Sequence, residues 1–106
     1  MKNGAENKII DNVIVSLCAD YERRKKYIIM RIGSKRLRME FLYINKRLLE
    51  GAGEICGAGL AEQFIKDIGA NVGYAFSEIS ELGESTYKRY KIDIKRNIAK
   101  KLYLIE

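Results

Sequence analysis

The chain contains no proline and no histidine, and only two of its 106 residues are cysteine. Proline interrupts helices, so its absence, together with β-branched residues spaced like helix faces, favours an all-α fold. The lack of histidine removes the commonest ligand of zinc and haem and the commonest acid-base catalyst. We therefore expect neither a metal site nor a cofactor.

The two cysteines, Cys18 and Cys56, lie in apolar runs without a CxxC spacing. This pattern predicts buried, reduced thiols, as in a cytosolic protein. Long hydrophobic runs are also missing: "NVIVSLCA" is far too short to span a bilayer, and "MKNGAENKII" has no apolar core flanked by a cleavage site. These features predict a cytoplasmic protein without a membrane partner.

Apolar residues make up 47% of the chain and charged residues 32%, a balance typical of chains that fold into a domain. We predict a single all-α domain, a compact bundle of four to five helices. Residues 1–57 would form an N-terminal helical scaffold, and residues 60–106 a part that resembles a helix-turn-helix.

Apolar residues at helical spacing predict the individual helices. The first should run from about Ala5 to Ile29 and the second from Lys35 to about Ile55. Between them, Gly33 can form a left-handed cap and Ser34 can cap the next helix.

The segment "EGAGEICGAGLAE" is rich in glycine. It follows a helical pattern instead of a strand, and no Walker lysine comes after it, so a phosphate-binding loop is disfavoured. We expect these small residues to allow close helix packing or a helix break. A third helix, from about Leu60 to Ile68, should be followed by a short helical piece around Tyr74 to Ile79. Gly83 should mark the turn before the last helix.

Charge is unevenly distributed along the chain. Residues 23–47 carry a net charge of +9 and residues 85–106 a net charge of +5, whereas residues 48–84 carry −6. A positive face attracts polyanions. The alternative is that lysine and arginine only keep a small helical protein in solution.

The last helix, about 85–102, contains "ESTYKRYKIDIKRNIAKK" and should start with Ser85 as its N-cap. At 100° per residue its apolar side chains point one way, toward the core: Tyr87, Ile94, Ile98 and Leu102. Its cations share the outer face, as expected for a recognition helix in the DNA major groove. At the start of the helix the predicted DNA-binding residues are Ser85 and the base-edge contacts Thr86, Lys88 and Arg89. The predicted phosphate contacts are Lys95, Arg96 and Lys100.

A longer stretch, "FIKDIGANVGYAFSEISELGESTYKRYKIDIKRNIAKKLYLI", with "DYERRKKYI" and "MEFLYINKRL" upstream, resembles the ArpU-like or RinA-like transcriptional regulators. These are small proteins of phages and integrated elements in Gram-positive bacteria, and their C-terminal part is similar to region 4 of sigma factors. The matching features are the IG-x-x-x-GY approach, Ser85 and Thr86, "TYKRYK" and the "NIAKKL" ending. The run "FSEISELG" makes the approach longer than a compact sigma-like turn. The resemblance implies a sequence-specific DNA-binding regulator that acts on transcription late in the element's cycle.

Two other functions remain open. A small phage protein could instead bind and modulate a host protein, such as RNA polymerase, a nuclease or other nucleic-acid machinery, through its charged surfaces. An enzyme is not expected, because no nucleophile, base and orienting group can be assembled from this sequence.

The tyrosines Tyr74, Tyr87 and Tyr90 are predicted to be core or rim residues and not stacking platforms. A homodimer is plausible, since many helix-turn-helix proteins read paired half-sites, although sigma-like domains also act singly.

Overall fold

A computed structural model describes residues 4–105, so the ends of the predicted domain, residues 1–3 and Glu106, lie outside the described residues. Within this part the chain forms helices and no strand, which confirms the predicted all-α bundle. The helices are α1 (Gly4–Ala19), α2 (Tyr21–Met30), α3 (Lys35–Cys56), α4 (Ala58–Ala70) and α5 (Glu84–Lys101). A single 3-10 turn, Tyr74–Phe76, lies between α4 and α5. None of the described helices combines the length and the apolar character needed to cross a bilayer.

The turn between α2 and α3 follows the local signals in the sequence. Gly33 has a φ of 78°, a left-handed conformation that glycine adopts without steric cost. The Ser34 hydroxyl oxygen accepts a hydrogen bond from the Leu37 backbone N–H at 3.1 Å. The predicted Ser34 cap is confirmed, whereas the left-handed cap of α2 is Arg31, with a φ of 53°, and Gly33 is left-handed within the turn that follows. The chain reverses direction there, so that α2 and α3 form an antiparallel hairpin. Near the turn of this hairpin the Tyr27 and Phe41 rings pack edge to face, with centroids 5.4 Å apart.

The prediction of one continuous helix over residues 5–29 is wrong, because the helix breaks at Asp20. Polar side chains stabilise the break. Arg24, which is buried, donates through Nε to the Asn45 side-chain oxygen at 2.7 Å and through Nη2 to the Leu17 carbonyl. The Asn45 amide in turn donates to the Tyr21 carbonyl at 3.2 Å. Side chains of α2 and α3 therefore satisfy carbonyl oxygens on both sides of the break.

Glycines allow the closest helix contacts in the bundle. A Cβ added to Gly69 of α4 would lie 2.5 Å from the Ala19 backbone nitrogen of α1. A Cβ added to Gly51 of α3 would lie 2.7 Å from the Ile98 side chain of α5. Gly57, with a φ of 86°, ends α3 and precedes α4. The expectation that the glycine-rich segment permits close packing and a helix break is confirmed.

The buried apolar core joins α1, α3, α4 and α5, with α3 packing against α2, α4 and α5. Its members come from every α-helix and from the connection before α5: Ile14, Cys18, Tyr21, Leu48, Ala52, Ala61, Phe64, Ile65, Ile68, Ile79, Tyr87, Ile94, Ile98 and Ala99. Both cysteines are free thiols: Cys18 is buried, as predicted, and Cys56 is half-buried. Burial raises the pKa of the Cys18 thiol to about 12.

Candidate nucleic-acid interface

The N-cap of α5 lies two residues before the predicted one. Gly83 occupies the N-cap position, and its carbonyl accepts the first helical hydrogen bond from the Tyr87 N–H at 3.0 Å. Ser85 therefore lies inside the first helical turn, where its side chain is exposed and caps nothing. The predicted capping role of Ser85 is wrong.

A buried carboxylate fixes the first turns of α5 to the rest of the bundle. Asp67 of α4 accepts hydrogen bonds from the Tyr87 hydroxyl at 2.8 Å, the Ser77 hydroxyl at 2.5 Å and the Gln63 amide at 3.0 Å. The Tyr87 ring is fully buried, and burial together with the Asp67 hydrogen bond raises its pKa to about 12. The Lys91 ammonium also donates to the Val72 carbonyl at 2.7 Å. These contacts hold α5 in one position relative to α4.

The inner face of α5 is apolar, as predicted. Ile94 and Ile98 are buried, and Leu102 is half-buried. Farther along, the Asn97 amide donates to the Gly51 carbonyl at 2.9 Å, and Lys101 pairs with a carboxylate of α3 at 2.5 Å. The packing on α3 thus leaves the opposite face of α5 toward solvent.

On that opposite face, Arg89, Arg96 and Lys100 are exposed. At 100° per residue they lie within an arc of about 40° and cover about 16 Å along the helix axis. Among the described side chains, those of residues 7–105, no carboxylate lies within ion-pair distance of any of the three. We call these three residues the α5 strip; Ser85 lies at its N-terminal end, on the same side.

The other predicted contact residues lie outside this strip. Lys88 is exposed, but its ammonium pairs with Glu84 one turn earlier at 2.7 Å. Thr86 is half-buried on the flank of α5. Lys95, a predicted phosphate contact on the flank of α5, does not lie on the exposed face of the helix. Its side chain is only 26% exposed, and its ammonium lies 2.9 Å from the Asp11 carboxylate of α1.

The segment before α5 is less helical than predicted. Residues 71–83 connect α4 to α5, and a helical turn forms only at Tyr74–Phe76 and not through Ile79. A helix-turn-helix joins its helices by a turn of about three or four residues. The connection over residues 71–83 is longer than that, so the helix-turn-helix stays a prediction. The exposure of the α5 strip, in contrast, is observed in the structure.

The tyrosines of this region are core or rim residues, as expected. The Tyr87 ring stacks on Phe64 with centroids 5.2 Å apart and meets the Tyr74 ring edge-on at 5.5 Å. Tyr90 approaches Phe64 edge-on at 6.1 Å. None of these rings forms an open platform for a base, because each is packed against another ring.

No arrangement for metal binding is found in the described part of the chain: its Cys, Asp and Glu residues form no group of three that could hold an ion. The cluster of hydroxyls around Asp67 has a structural explanation. The carboxylate already accepts three hydrogen bonds and is only 3% exposed, so a substrate has no access to it.

A second cationic surface lies on the α2–α3 hairpin, where the sequence prediction placed no site. Exposed there are Lys26, Arg31, Lys35 and Lys46, and no acidic side chain of the described residues pairs with them. A neighbouring cation, Arg36, lies 3.9 Å from Glu40. The net charge of +9 over residues 23–47 was the signal for this surface. The helix-turn-helix pattern of the sequence points to the last helix and not to this hairpin.

No family model, no curated protein and no solved structure matches this chain. A function must therefore be inferred from the chemistry of the two cationic surfaces.

Proposed function

We propose that the protein binds double-stranded DNA through the α5 strip, Arg89, Arg96 and Lys100, as a transcriptional regulator of a phage or mobile element. The observation that supports this most directly is the exposure of three aligned cations that no carboxylate of the described residues neutralises. The resemblance to the ArpU-like and RinA-like regulators agrees with this role.

The chemistry of the strip suits a polyanionic duplex. Each guanidinium of Arg89 and Arg96 can form two parallel hydrogen bonds with one phosphate, or with the major-groove edge of guanine. Lys100, about three turns beyond Arg89, adds a point charge for the DNA backbone. In this arrangement the N-terminal end of α5 approaches base edges, while its later turns contact phosphates.

Paired variants with equal charge loss test the proposal. Arg89→Ala/Arg96→Ala removes two cations of the strip. The control Lys95→Ala/Lys101→Ala removes two cations that already pair with Asp11 and Glu54. Binding to a fluorescein-labelled random duplex is measured by anisotropy between about 50 and 200 mM salt, where contacts to phosphates strongly affect affinity.

We expect the strip variant to bind the duplex more weakly and to lower the slope of log K against log salt by about 2, since each phosphate contact contributes about 0.9. The control should keep most of the affinity and the slope. Equal losses in both variants would mean that net charge, and not the strip, governs binding. A wild-type protein without affinity for duplex DNA even at the lowest salt would refute the proposal.

A further inference from the structure

One side of α3 carries an exposed stripe in which apolar and basic residues share a regular spacing: Lys35, Met39, Leu42, Lys46 and Leu49. The intervals are four, three, four and three residues, so the five side chains lie within an arc of about 80°. Met39 is 62% exposed and Leu42 is 55% exposed. We call this set the α3 seam.

The spacing of the α3 seam is that of a coiled-coil interface, in which such residues are normally covered by a second helix. The seam does not face the bundle. Gly51, which contacts Ile98 of α5, lies on the opposite side of α3, about 120° or more away around the helix axis. Met39 and Leu42, in the middle of the seam, remain more than half exposed in the described chain.

The hairpin adds a groove beside the seam. Ile28 and Ile29 of α2 face Leu42 and Leu49 of α3 across an open groove of about 600 Å³. Ile29 is 69% exposed. Aliphatic side chains in a groove between two helices are the usual receptor for the apolar face of a third helix.

The unpaired cations of the α3 seam indicate what kind of partner would bind in the groove. Lys35 and Lys46 lie within the seam, and neither pairs with a carboxylate of the described residues. A second copy of the chain would bring the same unpaired cations to the seam. Duplex DNA would satisfy the cations but would leave the aliphatic groove in water. A helix with aliphatic residues on one side and carboxylates beside them complements both features.

We propose that the α2–α3 hairpin binds an acidic amphipathic helix of another protein. This helix lies along the α3 seam, inserts its aliphatic side chains into the groove, and pairs its carboxylates with Lys35 and Lys46. This surface is separate from the α5 strip, so the proposal does not depend on DNA binding.

Two synthetic heptad peptides with the same leucine seam, one with glutamate and one with lysine at the flanking positions, provide the probes. Labelled with fluorescein and titrated with the full chain, the glutamate peptide should bind at least about tenfold more tightly than the lysine peptide, since like charges across an interface disfavour binding. The double variant Lys35→Glu/Lys46→Glu should reverse this preference, which a loss of folding could not do.

A second pair of variants tests the apolar contacts. Met39→Ser/Leu42→Ser should weaken binding of the glutamate peptide at least about tenfold. Ile9→Ser/Ile92→Ser, at positions 64% and 58% exposed on α1 and α5, should leave it unchanged. Arg89→Ala/Arg96→Ala should also bind this peptide normally, so failure here is distinguishable from failure of the DNA proposal.

Several results would overturn the inference. One is equal affinity for the two peptides, or no binding of either. Another is a homodimer, seen by sedimentation, that Met39→Ser/Leu42→Ser dissociates, because a second copy would then occupy the seam. A third is that this same variant loses binding to duplex DNA or to anionic phosphatidylserine vesicles, which would assign the seam to those partners.

Discussion

Gly69 is the position at which the bundle should tolerate a methyl group least. An alanine Cβ there would lie 2.5 to 2.7 Å from three backbone atoms of Cys18 and Ala19. Carbon atoms pack best at about 3.5 to 4.0 Å, so the overlap is roughly 1 Å and involves backbone that no rotamer change can move. Helices α1 and α4 would have to separate, and the core between them would lose contacts.

The expected cost can be bounded. Overpacking of this kind costs about 1 to 3 kcal/mol, and the better helix propensity of alanine returns at most about 1 kcal/mol. We expect Gly69→Ala to lower the free energy of unfolding by about 2 kcal/mol and the melting temperature by about 8 to 10 °C.

A matched control lies in the same helix. At Gly59, near the other end of α4, an added Cβ would meet no atom within 4 Å. Gly59→Ala should therefore be neutral or stabilising by up to about 0.5 kcal/mol. Urea unfolding followed by circular dichroism measures both variants. If Gly69→Ala is as stable as the parent, the close approach of α1 and α4 is wrong.

Three further predictions concern individual side chains. Tyr87→Phe should lower stability by about 1 to 2 kcal/mol, because Asp67 loses a buried hydrogen-bond donor. The raised pKa of Tyr87 means that this advantage over phenylalanine is complete below pH 10 and declines as the pH rises toward 12. Iodoacetamide should modify Cys56 before Cys18 in the native protein, because Cys18 is buried and its pKa is raised to about 12. Ser34→Ala should cost about 1 kcal/mol, because the first turn of α3 loses its side-chain cap.

Each of these three predictions has its own measurement and its own contradicting result. Urea unfolding at several pH values measures the tyrosine variant, and a difference from the parent that grows above pH 10 would contradict the assigned pKa. Mass spectrometry of the alkylated protein identifies the modified thiol, and faster labelling of Cys18 would mean that α1 opens readily. Ser85→Ala should leave the melting temperature unchanged, since Ser85 caps no helix; a loss equal to that of Ser34→Ala would contradict this.

Much of the fold could be predicted where local chemistry determines it. The turn at Gly33 and Ser34 depends on backbone freedom and on one hydroxyl, both of which are visible in the sequence. The inward face of α5 follows from the spacing of Tyr87, Ile94 and Ile98. The exposure of Arg89, Arg96 and Lys100 follows from the same periodicity.

Features that depend on a distant residue could not be predicted in this way. The apolar stripe of the first helical segment continues through Asp20, and the break there involves Arg24 and an asparagine 21 residues farther along. At 100° per residue Lys95 lies on the flank of α5, but the sequence does not show that an aspartate of α1 pairs with it. The exposure of Leu42 also depends on tertiary structure, because a leucine at helical spacing is expected in the core unless no other element covers it.

The hydrogen bonds of Asp67 connect three parts of the chain at one carboxylate: α4, the connection before α5, and α5 itself. A displacement of the last helix alone would break the hydrogen bond from Tyr87 to the buried Asp67 carboxylate, so this helix should move together with α4 and the connection. In the proposed binding to DNA, α5 would approach the duplex at a fixed angle, and variation in affinity would come from the side chains it displays and not from adjustments of its backbone.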